Sequence, residues 1–246
     1  MAGRITAVGL GPGKKEGLTF EAFDALQGAD IIIGYDTYID IVKEYLPEKD
    51  YFKSPMMSEL ERIKRCYDEA LSGKNVCLVS SGDPGIYALA SPLIELSNNF
   101  PEVEIEVIPG VSALLSGAAL LGAPIGNDCA IISLSDLLTP RDVIEKRLKA
   151  AAFGDFVVVL YNPGSKKRKD HLKKAVDIML SQGKSPDCFC GIVNNIGRKG
   201  EEAKICTLLE LREMEADMFT TIFIGNKDTK VINKRLVTKR GYCING

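Results

Sequence analysis

Short apolar runs separated by amphipathic segments constrain this chain more than any single motif. Ile5 to Gly9, Ile31 to Gly34 and Val76 to Val79 are short and apolar and read as strands. Phe20 to Gly28, Glu59 to Leu71 and Ile86 to Leu96 read as helices, and Val103 to Val107 alternates as a half-exposed strand does. Strand and helix signals in this order favour a largely parallel sheet with helices packed on it, because parallel neighbours need long crossover connections.

The second half repeats the theme at different spacing. Ala130 to Leu134 and Phe156 to Leu160 are strand runs followed by charged helices, Arg141 to Ala151 and Lys169 to Leu180. Phe189 to Val193, Ala203 to Thr207 and Thr220 to Gly225 supply three more strands. Between the halves lies a stretch rich in Gly, Ala, Ser and Pro, residues 109–128, which reads as a small-residue helix and a crossing loop. The expectation is an α/β protein of two α/β domains, residues 1–120 and 121–246, with mixed, largely parallel sheets flanked by helices.

Composition removes several function classes. A net charge of −2 gives no reason to expect nucleic acid as a partner. Seven scattered cysteines without a CxxC pair argue for a reducing compartment and against a disulfide framework or a zinc ribbon, and no metal site is expected. The start, MAGRITAVGLGPG, lacks the charged and apolar regions of a secretory signal, and no apolar run reaches the roughly 18 residues a spanning helix needs. The reading is cytoplasmic, with no membrane partner.

Three turns follow strand ends: GLGPGK at 9–14, SGDPG at 81–85 and YNPG at 161–164. In open α/β sheets ligands bind outside the carboxyl ends of strands, and glycines there let a ligand approach the main chain. GLGPGK matches neither the P-loop nor the dinucleotide fingerprint, and Pro12 removes a donor where a phosphate would want one.

GLGPG, SSGDPGIY, IPGVSA at 108–113, SLSDLLTP at 133–140, YNP at 161–163 and RLVTKRGY at 235–242 together resemble the tetrapyrrole (corrin and porphyrin) methyltransferases. SLSDLLTP, YNPGSKKR and the final RGY look most like the members that methylate C-17 of a precorrin-3-level macrocycle in cobalamin biosynthesis. The resemblance implies a class III methyltransferase-like fold, with a trough between two α/β domains, S-adenosylmethionine as cofactor and a homodimer. Position by position, it implies cofactor contacts at Pro12, Gly82, Asp83, Ile86, Ser112, Ala113, Asn162 and Ile196. Other carbons of the macrocycle remain alternative targets, and a non-catalytic module that binds the cofactor or a tetrapyrrole remains an alternative class.

The implied substrate, precorrin-3B or cobalt-factor III, is a polycarboxylate, so cations should line its site. Lys14, Arg141, Lys166, Lys167 and Arg168 are the candidates, with Lys169 also in the basic run. Lys14 stands where several relatives have an acid, which favours a carboxylate contact over proton removal. Methyl transfer mainly needs alignment, whereas the ring contraction that accompanies it needs acid or base help, for which Asp136, Tyr161 and Ser135 are candidates. The single histidine, His171, reads more readily as a packing or surface residue, and Cys188 and Cys190 as core.

Overall fold

A computed structural model describes residues 2–165 and 169–242. The chain divides into two compact units, Met1–Ala113 and Leu114–Gly246. In the first, β1 (Arg4–Gly9), α1 (Phe20–Gly28), β2 (Ile31–Tyr35), α2 (Asp36–Lys43) and β3 (Asp50–Ser54) are followed by α3 (Glu59–Leu71), β4 (Val76–Ser80), α4 (Ala90–Leu96) and β5 (Glu104–Ile108). The strands lie in the order β3-β2-β4-β1-β5, every neighbour parallel.

Both faces of this sheet are buried, which is why its central strands are almost wholly apolar rather than alternating. Ile5, Ala7, Ile33 and Leu78 meet Ile63 and Tyr67 of α3 and Leu93 of α4 on one face. Val8, Ile32 and Val79 meet Leu26 of α1 and Ile39 and Val42 of α2 on the other. Thr19 caps α1, its side chain accepting the Ala22 amide at 3.1 Å. At the other end of α1, a Cβ added to Gly28 would meet nothing within 4 Å. Gly28→Ala is therefore expected to stabilise the fold by about 0.4–1 kcal/mol through loss of unfolded-state freedom, read as a higher denaturation midpoint.

The second unit holds α5 (Ala113–Leu121), β6 (Gly122–Ala123), β7 (Cys129–Ser133), α6 (Arg141–Phe153), β8 (Val157–Tyr161) and α7 (His171–Ser181). It continues with β9 (Phe189–Asn194), β10 (Glu202–Thr207), α8 (Leu208–Leu211), β11 (Thr220–Ile224), β12 (Thr229–Ile232) and β13 (Arg235–Thr238). Its main sheet runs β10-β9-β11-β8-β7. Within that sheet only β7 and β8, joined through α6, pair in parallel; β9 and β10 are antiparallel, as are β11–β9 and β11–β8. Leu148 of α6, Val176 and Met179 of α7 and Leu211 of α8 pack on Val158, Leu160, Ile192 and Ile222. A small sheet, β12-β13-β6, completes the unit. The α/β class with mixed, largely parallel sheets is borne out.

Two stretches depart from the sequence reading. The helix expected from Ile86 begins at Ala90, because Asp83 turns back on the Gly85 amide and Tyr87 adopts φ +53°, neither compatible with a helical run. The segment from Asp36 to Ser54, which carries no clear strand or helix signal in sequence, holds α2 and the edge strand β3. Among the described residues no helix is long and apolar enough to cross a membrane.

Candidate active site

In the first unit the connection after β1 leads over β4 to β2, while the connection after β4 leads over β1 to β5. Adjacent strands whose connections depart in opposite directions define a switch point, where open sheets bind ligands. GLGPG and SGDPG meet there. Gly11 N–H donates to Gly82 O at 3.1 Å and Gly82 N–H donates to Gly11 O at 2.7 Å. The loop after β5 joins them, since a Cβ on Gly110 would lie 2.1 Å from Gly82 O and 2.8 Å from Gly9 Cα. Three backbones thus pass at distances that exclude any side chain at Gly9 or Gly110.

Asp83 fastens this junction. Its Oδ1 accepts the Gly85 amide at 2.8 Å and its Oδ2 accepts the Gly110 amide at 3.1 Å. The carboxylate therefore performs the turn-forming task that the sequence allows for it, and it also ties the β4 loop to the β5 loop. Gly82 sits at φ +67°, and its α-carbon faces Ser112 and Ala113: a Cβ there would lie 3.5 Å from Ser112 Cα and 3.6 Å from the Ala113 nitrogen. Ile86 closes the loop, its amide donating to Asp83 O at 3.3 Å. Pro12, Gly82, Asp83, Ile86, Ser112 and Ala113 are thus gathered at one edge of one sheet.

The second unit gathers another set at the carboxyl ends of β7 and β8. Leu134 N–H donates to Tyr161 O at 2.9 Å, and the Asn162 side-chain amide donates to Ser133 Oγ at 3.0 Å. Ser133 Oγ also accepts the Ser135 amide at 3.3 Å, while the Tyr161 hydroxyl accepts the Leu114 amide at 2.7 Å. Asn162 holds φ +52°, a conformation asparagine tolerates better than most residues. Ile196, just past β9, packs against α5, where a Cβ on Gly117 would come within 3.1 Å of its Cδ1.

His171 belongs to this set, although a lone histidine on a helix reads as a packing or surface residue. It opens α7, and its ring is only 11% exposed. Nδ1 lies 3.0 Å from Leu134 O, which only accepts, so Nδ1 carries a proton. Nε2 lies 3.5 Å from Asp136 Oδ2. The imidazole and the carboxylate thus face each other, a placement that suits acid–base chemistry. Spacing could not announce it, because 34 residues, with α6 and β8 among them, lie between Asp136 and His171.

Of the cationic candidates, Lys14 is exposed just past the β1 turn. Arg141, at the start of α6, pairs through Nε with Glu145 at 3.2 Å and lines a cleft with Asp136 and His171. Lys166, Lys167 and Arg168 lie outside the described residues. Cys190 is wholly buried in the core, and Cys188 packs beside it before β9, at the end of that strand opposite Ile196. Burial raises the Cys190 thiol, whereas its hydrogen bond to Cys188, with Lys184 nearby, lowers the Cys188 thiol.

The crystal structure of the methyltransferase CobJ matches this chain with a TM-score of 0.86 at 34% identity, covering 97% of this chain and all of that one. With the two α/β units and the glycine-lined strand ends of the first, this defines an α/β methyltransferase. The model of the tetrapyrrole (corrin/porphyrin) methylases matches residues 4–212, and the chain belongs to that family. A probable cobalt-factor III C(17)-methyltransferase of Salmonella typhimurium is 43% identical over 98% of this chain and 100% of its own length. A precorrin-3B C(17)-methyltransferase of a Sinorhizobium species is 36% identical over 95% and 93%. The family read from the six motifs is borne out, and with it the methyltransferase activity.

Proposed function

We propose that this methyltransferase carries a methyl group from S-adenosylmethionine to C-17 of a precorrin-3-level tetrapyrrole, with contraction of the macrocycle, in cobalamin biosynthesis. The observation that carries the cofactor assignment is the junction of three glycine loops at the switch point of the first sheet, where main chain lies bare beside the small residues Ser112 and Ala113. An amino acid's amino group suits such a surface, where side chains do not block the approach and the carbonyl and carboxylate oxygens each keep a second acceptor site. Pro12, Gly82, Asp83, Ile86, Ser112 and Ala113 hold the methionine end, and Asn162 and Ile196 hold the nucleoside. When bound, the sulfonium supplies an electrophilic methyl group, so the protein's main task is to align it with the ring carbon at about 3–3.5 Å. The target position follows the names of the relatives that match almost the whole chain.

Asp136, positioned by His171, moves the proton that contraction requires, and Ser135 and Tyr161 are the further candidates for that task. Lys14, Arg141 and the cluster Lys166, Lys167 and Arg168 pair with carboxylate arms. The Arg141–Glu145 pair is exposed and worth only a few tenths of a kcal/mol, so an arm competes with it readily. Lys14→Glu and Arg141→Ala are each expected to lower kcat/KM for the macrocycle by up to about fivefold at low salt, through about 1 kcal/mol or less of lost pairing. Cofactor affinity should hold, and an unchanged salt dependence in Lys14→Glu would remove that residue from the substrate surface.

The enzyme works as a cytoplasmic homodimer. Helix α5 buries Gly117, Ala118 and Leu121 but leaves Leu115 and Leu120 53% and 42% exposed, apolar surface available to a second copy. Sedimentation giving a monomer at micromolar concentration would end that part of the proposal. The central reading is tested by incubation with methyl-labelled S-adenosylmethionine and either precorrin-3B or cobalt-factor III. Label should pass to one macrocycle; cofactor binding without transfer to either would leave a binding module in place of an enzyme.

A further inference from the structure

The loop after β3 sits at the same edge of the first sheet as SGDPG, and none of the assignments above uses it. Its residues are Pro55, Met56, Met57 and Ser58, leading into α3. Met57 holds φ +68°, a region that non-glycine residues rarely occupy, and it is 77% exposed; Met56 is 42% exposed. The loop is held from below by Arg62, which is only 4% exposed. Its Nη1 donates to Ser54 Oγ and to Pro55 O, both at 2.9 Å, and its Nη2 lies 3.3 Å from Glu59. Among the described residues its Nε is buried without a partner.

Each of these features opposes stability. A buried guanidinium loses hydration, an unpaired Nε–H adds to that loss, and a left-handed methionine is strained. The Met57 side chain recovers little from burial, because most of its surface stays in water, and Met56 is only partly buried. Strain that persists under such support points to a task for what it displays. What is displayed is a pair of thioethers, side chains that are flexible, polarizable and well matched to flat conjugated surfaces. In the order β3-β2-β4, two strand spacings of about 4.8 Å place this pair roughly 10 Å along the sheet edge from SGDPG, a reach comparable to the breadth of a macrocycle.

We propose that Met57, with Met56 beside it, is a specificity-determining contact that packs on the face of the tetrapyrrole and sets its position relative to the cofactor loops. The proposal rests on the tetrapyrrole reading above. It divides the labour at this edge: glycine loops take the cofactor, and the arginine-supported methionine loop takes the apolar face of the ring.

Met57→Gly removes the side chain and suits the backbone angle, so it separates a ligand contact from a structural one. The denaturation midpoint is expected to stay level or rise, while KM for the macrocycle rises about tenfold, the effect of one lost apolar side-chain contact. Affinity for S-adenosylmethionine should not change, and Met57→Leu should restore most of the macrocycle affinity. An unaltered KM in Met57→Gly, or a fall in its midpoint that Met57→Leu reverses without any change in KM, would overturn the proposal. Absorbance titration of cobalt-factor III into wild type and Met57→Gly decides the contact independently of turnover. Weaker binding by the variant supports it and equal binding overturns it, even if the wild-type protein were found to transfer no methyl group.

Discussion

Gly110→Ala is expected to be among the most damaging single-methyl additions in the first unit. The new Cβ would lie 2.1 Å from Gly82 O and 2.8 Å from Gly9 Cα, and all the neighbours are main chain held by adjacent strands. No side-chain rotation relieves that contact, so the β5 loop must move away and release the Gly110 amide from Asp83. A loss of about 3 kcal/mol follows from overpacking together with a weakened charge-assisted hydrogen bond. At this chain length that corresponds to a midpoint lower by roughly 6–12 °C. Affinity for S-adenosylmethionine should fall more than tenfold in the fraction that remains folded, measured by calorimetry. Gly82→Ala makes a milder comparison: its Cβ meets Ser112 at an ordinary 3.5 Å, leaving mainly the left-handed strain of about 1–2 kcal/mol. A Gly110→Ala protein with wild-type midpoint and affinity would show that the three loops do not form one rigid cradle.

Asp136→Asn is expected to lower kcat by about a hundredfold or more with little change in stability or cofactor affinity. The carboxylate is partly exposed and faces the inward Nε2 of His171, so it is placed to exchange a proton, and positioned acid–base groups contribute about 100- to 10,000-fold. His171→Gln should show a smaller loss of kcat and a shifted pH profile, because it removes the positioning partner and leaves the carboxylate. If Asp136→Asn retained wild-type kcat across the pH range, the proton would have to move through another group, and the Asp136–His171 contact would be structural.

Much of the first sheet was legible because its central strands are continuous apolar runs and its helices have clear periodicity, as at Ile31 to Tyr35 and Glu59 to Leu71. Edge strand β3 was not, since DYFKS is half exposed and carries little apolar signal. The loop residues of the candidate site stood out through glycines whose need is local: GDPG advertises its own turn. His171 was hidden for the opposite reason. Its partners, Leu134 and Asp136, reach it only through the parallel pairing of β7 and β8, a contact that no short window of sequence contains. Arg62 was hidden likewise, as one charged residue on a charged helix whose burial depends on where the β3 loop folds back.

The most direct test of the central claim is the position of the transferred methyl group. Incubation with S-adenosylmethionine carrying a carbon-13 methyl, and with cobalt-factor III or precorrin-3B, should yield a product whose labelled methyl is assigned by carbon-13 NMR to C-17. Label at any other ring carbon, or none on either macrocycle while the cofactor binds, would contradict the account.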